Sequence, residues 1–183
     1  MKRMRIVHKL GHQAQKKESE GYFLITDRTG GFLSLGSSQN ITHMQGLFCL
    51  DNNWNMYKSV ENIYLDKEIT EIENHFYKVI RKYDNTEESF FLTADGLIYG
   101  VKHYVGNINL DVDFREMFNF NDNNRYYSID KKNSIIIIHF KKHQKFLAIK
   151  GLKDYEFIKQ WDKKEYHYDK LRNTKSEFYI YKA

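Results

Sequence analysis

The sequence predicts an all-β fold, a large antiparallel β-sandwich with one short C-terminal helix. Three observations carry this. Aromatic residues are abundant, with fourteen Tyr, thirteen Phe and two Trp, and such side chains pack well on a pleated surface. Short apolar runs follow one another along the chain, separated by Gly, Asn and Asp turns in the complete absence of proline. Residues 107–114 alternate with period two, Ile108, Leu110, Val112 and Phe114 facing one way and Asn107, Asn109, Asp111 and Asp113 the other. There is no βαβ rhythm and no internal repeat. The length of 183 residues fits one domain, and chains of this size bury roughly 70% of their unfolded surface.

The elements follow in order. Residues 1–20 have mixed polarity and no clean period, and read as a basic N-terminal arm or a frayed first strand. Residues 21–183 read as the sandwich domain. Residues 22–26 and 32–35 are hairpin partners about Asp27-Arg28-Thr29-Gly30-Gly31, where Gly supplies positive φ at no steric cost. Residues 46–50 form a third strand. Asp51-Asn52-Asn53 turns the chain into an extended run over 54–65. Residues 71–83 read as a strand from their β-branched and aromatic content, although their alternation has mixed faces. Residues 89–93 and 97–104 flank the hairpin signal Ala94-Asp95-Gly96. Further strands are predicted over 107–114, 125–129, 134–140, 145–149 and 155–160. The run 135–138 is apolar on both faces and therefore interior. Residues 162–172 are the best helix candidate, and 177–181 close the domain as a strand.

Charge is unevenly spread. Residues 1–20 carry six basic and two acidic side chains, residues 21–138 eleven and sixteen, and residues 139–183 twelve and six. The net +5 therefore comes from the two ends of an otherwise acidic domain. That distribution argues against a dedicated nucleic-acid surface, although basic ends can reach phosphate backbones or an acidic partner. The single cysteine, Cys49, excludes an intrachain disulfide and lies in the apolar run GLFCL, which predicts a small buried hydrophobe. The sequence holds no apolar stretch long enough for a membrane-spanning helix and no secretory signal core. A cytoplasmic location is the default expectation.

Candidate chemistry is sparse. Asp111 and Asp113, with Arg115 and Glu116 beside them, put two carboxylates on one strand face, the residue type a glycosidase needs in pairs. Such i, i+2 pairs are also common on solvated faces, and an adjacent arginine can hold them as a structural pair or for docking a neighbouring domain. His139 and His143 fall on predicted strand, where four residues span roughly 13 Å and cannot chelate. His8 and His12 lack an HExxH context. No metal or cofactor site is expected. Thr29-Gly30-Gly31 is not a phosphate loop, and Ser34, Ser37 and Ser38 lack a GxSxG setting. Trp54, Tyr57, Trp161, Tyr166 and Tyr168 could stack on sugar rings or pack against another domain. No catalytic residue is assigned.

Taken in order, several motifs resemble the N-terminal domain of amylo-α-1,6-glucosidases, the archaeal-type glycogen debranching enzymes. They are Leu24-Ile25-Thr26-Asp27, Gly30-Gly31-Phe32-Leu33-Ser34, Gly46-Leu47-Phe48, the run 109–120 leading to Arg125-Tyr126-Tyr127, and the closing series Trp161, Tyr166, Asp169, Arg172, Glu177 and Tyr179. The similarity spans about residues 21–183. The chain departs from the pattern at Thr42-His43-Met44-Gln45, where the family often carries arginines, and at its closing segment, which lacks the family's acidic-plus-glycine ending. The resemblance implies a super-β-sandwich that precedes an (α/α)6 catalytic toroid absent from this chain. It implies a non-catalytic domain of a glycoside hydrolase that packs on that toroid, in cis or in trans, and contributes to α-glucan binding. The alternative is a stand-alone sandwich that uses its basic ends to contact a partner or nucleic acid.

Overall fold

A computed structural model describes residues 6–9, 22–36, 40–75, 77–117 and 126–182. The strands are β1 (Ile6–Lys9), β2 (Tyr22–Thr26), β3 (Phe32–Gly36), β4 (Gly46–Leu50), β5 (Met56–Leu65), β6 (Glu71–Asn74), β7 (Val79–Tyr83) and β8 (Thr86–Thr93). There follow β9 (Gly96–Lys102), β10 (Ile108–Glu116), β11 (Tyr127–Lys132), β12 (Ile135–Phe140), β13 (Lys145–Lys150), β14 (Gln160–Glu165) and β15 (Glu177–Lys182). One short helix, α1 (His167–Leu171), links the last two. The described residues form a five-stranded sheet β1-β6-β7-β8-β9, a seven-stranded sheet β14-β15-β10-β5-β4-β3-β2, and a three-stranded sheet β11-β12-β13. The pairings are antiparallel, as the all-β sandwich reading requires.

Alternation decides which side chains meet. Phe23 and Ile25 of β2 and Leu33 and Leu35 of β3 are buried against Ile72, Val79 and Phe90 of the five-stranded sheet, with the Phe23 and Phe90 rings 5.3 Å apart. A second cluster joins Val112 and Phe114 of β10 to Ile136, Ile138 and Phe140 of β12. Leu110 and Leu147 pack on both clusters, so the two cores are continuous. The interior position predicted for 135–138 is met by β12, which lies between β11 and β13.

The interior also holds charge. Arg81 is fully buried. Its Nε donates to Glu88 Oε2 at 2.8 Å, and its Nη2 donates to the Ile63 carbonyl at 2.6 Å. Glu88 also accepts from Tyr99 Oη at 2.6 Å and from Tyr83 Oη. Arg81 thus ties the five-stranded sheet to a backbone carbonyl of the seven-stranded sheet.

The turns obey local chemistry. Asp27 Oδ1 accepts from the Thr29 and Gly31 amides at 2.7 and 2.9 Å, closing the β2–β3 hairpin. Gly46 begins β4 at φ +130°, and a Cβ there would lie 2.3 Å from the Val60 carbonyl oxygen. Only glycine satisfies both constraints.

Four local expectations are corrected. The single strand expected over 71–83 is a hairpin, β6–β7, closed by a 2.8 Å bond from the His75 amide to the Lys78 carbonyl. The turn resets the alternation, which explains the mixed faces. The helix expected over 162–172 is confined to α1, because residues up to Glu165 pair in full register with β15. The strand expected over 155–160 begins only at Gln160. Cys49 is exposed rather than buried, since burial along β4 ends at Phe48 and the last two residues of the strand lie beyond the cover that Leu47 and Phe48 receive. Within the basic arm, Ile6–Lys9 pairs with β6 as a strand; the rest of the arm lies outside the described residues.

Candidate binding cleft and its buried ion network

The centre of the seven-stranded sheet carries an ion network that no sequence motif announced. A β-bulge is the local cause. The register of β4 on β5 shifts between the pairs Leu47–Val60 and Phe48–Lys58, so one extra residue intervenes on β5. Lys58 and Glu61, three apart, then share a side, and Lys58 Nζ bonds Glu61 Oε2. Both are fully buried. On β10, Asp113 and Arg115 are two apart and so share a face. Arg115 Nε and Nη2 donate to the Asp113 carboxylate at 2.8 and 2.6 Å, and Lys58 Nζ lies 3.6 Å from Asp113 Oδ2.

One end of this network is roofed by α1 and the segment 40–46. Asp169 is buried and accepts from Thr42 Oγ1 at 2.7 Å and from the His43 amide at 2.8 Å. His43 Nδ1 lies 2.7 Å from Asp169 Oδ2. The Tyr168 amide donates to the Ile41 carbonyl at 3.0 Å. Burial lowers the His43 pKa more than the contact with Asp169 raises it. Tyr166 is fully buried here, stacked edge-on to Phe178 at 5.5 Å, and burial raises its phenol well above the ordinary range.

The other end opens to solvent. Glu61 Oε1 reaches Lys164 Nζ at 2.8 Å. Burial opposes ionisation of Glu61, but Lys58 and Lys164 outweigh it and hold its pKa at about 2. Beyond Lys164 lies a cleft of about 450 Å³ lined by Asn62, Asp111, Asp162, Lys164 and Lys182 among others. Register explains the gathering. Asp111 is directly opposite Asn62 on β5 and Lys182 on β15, and Lys182 is opposite Gln160 on β14. Directly opposed residues emerge on the same sheet face. Asp162 closes the row, accepting from Lys182 Nζ at 2.9 Å and from Gln160 Nε2 at 2.8 Å. Desolvation pushes the Asp111 carboxyl up to about 6, against the attraction of Lys164 and Lys182, which repulsion from Glu61 and Asp162 partly cancels.

The predicted site residues are thus dispersed. Asp111 lines the cleft, whereas Asp113 is fully buried and bonded to Arg115. One ligand therefore cannot meet both carboxylates as an acid–base pair. Trp54 projects from the β4–β5 turn, 82% exposed, at φ 64°. Tyr57 is packed 5.5 Å from the Phe114 ring with Lys145 over its face. Tyr168 is exposed on α1, with the Arg172 guanidinium 5.5 Å from its ring centroid. Trp161 is 41% exposed and joins Tyr127 and Tyr181 in a three-ring cluster with centroid separations of 5.3, 4.9 and 5.1 Å. Sequence reading missed Lys58 and Glu61, whose only available signal was charge inside an otherwise apolar strand run, and it gave His43 and Asp169 no part in a network.

Among the described residues, no group of three His, Cys, Asp or Glu side chains could hold a metal ion. No helix among them is long and apolar enough to cross a membrane. Comparison with known proteins adds no relative: no family model matches the chain, and neither a curated protein nor a solved structure does.

Proposed function

We propose that the chain is a non-catalytic β-sandwich domain that binds α-glucan and packs on a catalytic toroid of the glycogen-debranching type. The observation that carries this reading is the Trp161–Tyr127–Tyr181 cluster. Its exposed ring is Trp161 on the edge strand β14 of the seven-stranded sheet, supported by the partly exposed Tyr127 of β11 and the buried Tyr181 of β15. Trp161 also belongs to the closing segment that, by the resemblance, leads toward the toroid. The apolar C–H face of a pyranose stacks on such rings while its hydroxyl rim stays solvated, and the ring supplies area without losing much rotamer freedom. The sequestration of Asp113 beneath Arg115 supports a non-catalytic role for the Asp111–Asp113 pair.

The alternative, a nucleic-acid or acidic-partner contact through the basic C-terminal region, draws less support. Lys163, Lys164, Lys170 and Lys182 each pair with a carboxylate, of Glu177, Glu61, Glu165 and Asp162. The test is electrophoresis of the pure chain in gels with and without glycogen. Retardation by glycogen, with no glucose released, is the expected result. Unchanged mobility would remove the glucan-binding reading, and released glucose would remove the non-catalytic one.

A further inference from the structure

The Asn62–Asp111 cleft has a donor–acceptor imbalance that the glucan reading does not use. Asn62 is 4% exposed, and among the described residues its Oδ1 has no hydrogen-bond partner. A buried acceptor left unpaired is costly, on the order of 1–3 kcal/mol. Asp111 stands directly across from it on β10, so both acceptors face the same space.

The cations around that space are already engaged, Lys67 with Thr86 Oγ1 at 3.1 Å and over the Tyr104 ring. Lys164 bonds Glu61 at 2.8 Å and Lys182 bonds Asp162 at 2.9 Å. Lys163 pairs with Glu177 at 2.8 Å, and Arg81, which also lines the cleft, with Glu88 at 2.8 Å. Their hydrogen bonds and ion pairs go to these other groups, and none of them is made to the Asp111 carboxylate. One anionic and one neutral acceptor, adjacent and short of donors, match a group that brings several N–H donors and a positive charge.

We propose that this cleft is a binding site for a small primary-ammonium compound, its –NH3+ group shared between the Asp111 carboxylate and Asn62 Oδ1. The volume of about 450 Å³ falls in the range of small-molecule sites. The remaining polar lining, with Asp162 and Lys182 beside Asp111, suits a ligand that also carries hydroxyls.

Isothermal titration at pH 7.5 tests this with two matched pairs, ethanolamine against ethylene glycol and glucosamine against glucose. The ammonium member of each pair is expected to bind saturably and at least tenfold more tightly than its neutral partner. Asp111→Asn is expected to abolish that preference with the fold intact by circular dichroism. Asn62→Leu is expected to weaken ammonium binding without conferring any preference for the neutral ligands. Affinity is also expected to fall as pH drops through about 6, where Asp111 takes up a proton. Equal binding of charged and neutral partners, absence of saturation with either amine, or an unaltered preference in Asp111→Asn would overturn the assignment. Glycogen retardation is read at Trp161 on a different surface, so either result can fail while the other stands.

Discussion

At the scale of single residues, two carboxylates make opposite contributions with pH. Asp111 has a folded-state pKa of about 6, above its unfolded value near 3.9. Its ionisation therefore opposes folding. The penalty is absent below pH ~4, grows as pH rises, and is complete above about 6. Asp111→Asn should raise stability at pH 7.5 by roughly 1–2 kcal/mol after allowance for solvent screening. The gain should vanish near pH 4, as thermal melts at the two pH values would read. Glu61 runs the other way, with a folded pKa of about 2. Its contribution is fully present above its unfolded value near 4.3 and is lost as pH falls toward 2. Glu61→Gln should flatten the acid limb of the unfolding curve while lowering stability at neutral pH. Lys58→Met leaves Glu61 and Asp113 short of a buried partner, and should cost about 3–5 kcal/mol by denaturant titration.

At the scale of elements, strand pairing overrides local appearance. Residues 162–165 carry a charge pattern that suits a helix surface. Each of them instead finds a cross-strand partner on β15, and Trp161 pairs with Tyr181. The helix survives only where α1 can be held from outside. Asp169 is that hold, through Thr42 and His43. Asp169→Ala should free α1 and the segment 40–46 together, raising their amide exchange by at least tenfold while the β2–β3 hairpin stays protected. Gly46→Ala should destabilise the whole domain by more than ~2 kcal/mol, because both the positive φ and the Val60 carbonyl oppose a Cβ. The strands themselves were legible. Residues 22–26 and 46–50 match β2 and β4 to the residue, and turns built on Asp27 and Asp51 fix where the two strands stop. The division of 71–83 was not legible, since His75 to Lys78 contains neither Gly nor Pro to mark the turn. The ion network was hidden for a further reason. The β5 bulge changes which residues share a face, and no period in the sequence records it.

At the scale of the whole molecule, the five-stranded and three-stranded sheets each share an apolar core with the seven-stranded sheet. The charged residues of that larger sheet are roofed by α1 at one end and open into the Asp111 cleft at the other. The Trp161 ring cluster lies elsewhere, because Trp161 alternates with Gln160 and Asp162 along β14. This separation of polar cleft from aromatic platform is what the two binding proposals exploit. The sandwich class was readable from composition and alternation, whereas the candidate site required the cross-strand register that brings Asn62, Asp111 and Lys182 into one row. The most direct check of the proposed function is a fluorescence titration of the chain with maltoheptaose, using its two tryptophans, Trp54 and Trp161, as reporters. The account predicts saturable quenching that persists in Trp54→Phe and weakens at least about tenfold, or ~1.4 kcal/mol, in Trp161→Ala. Quenching that survives Trp161→Ala unchanged, or no saturable response in the wild-type chain, would contradict it.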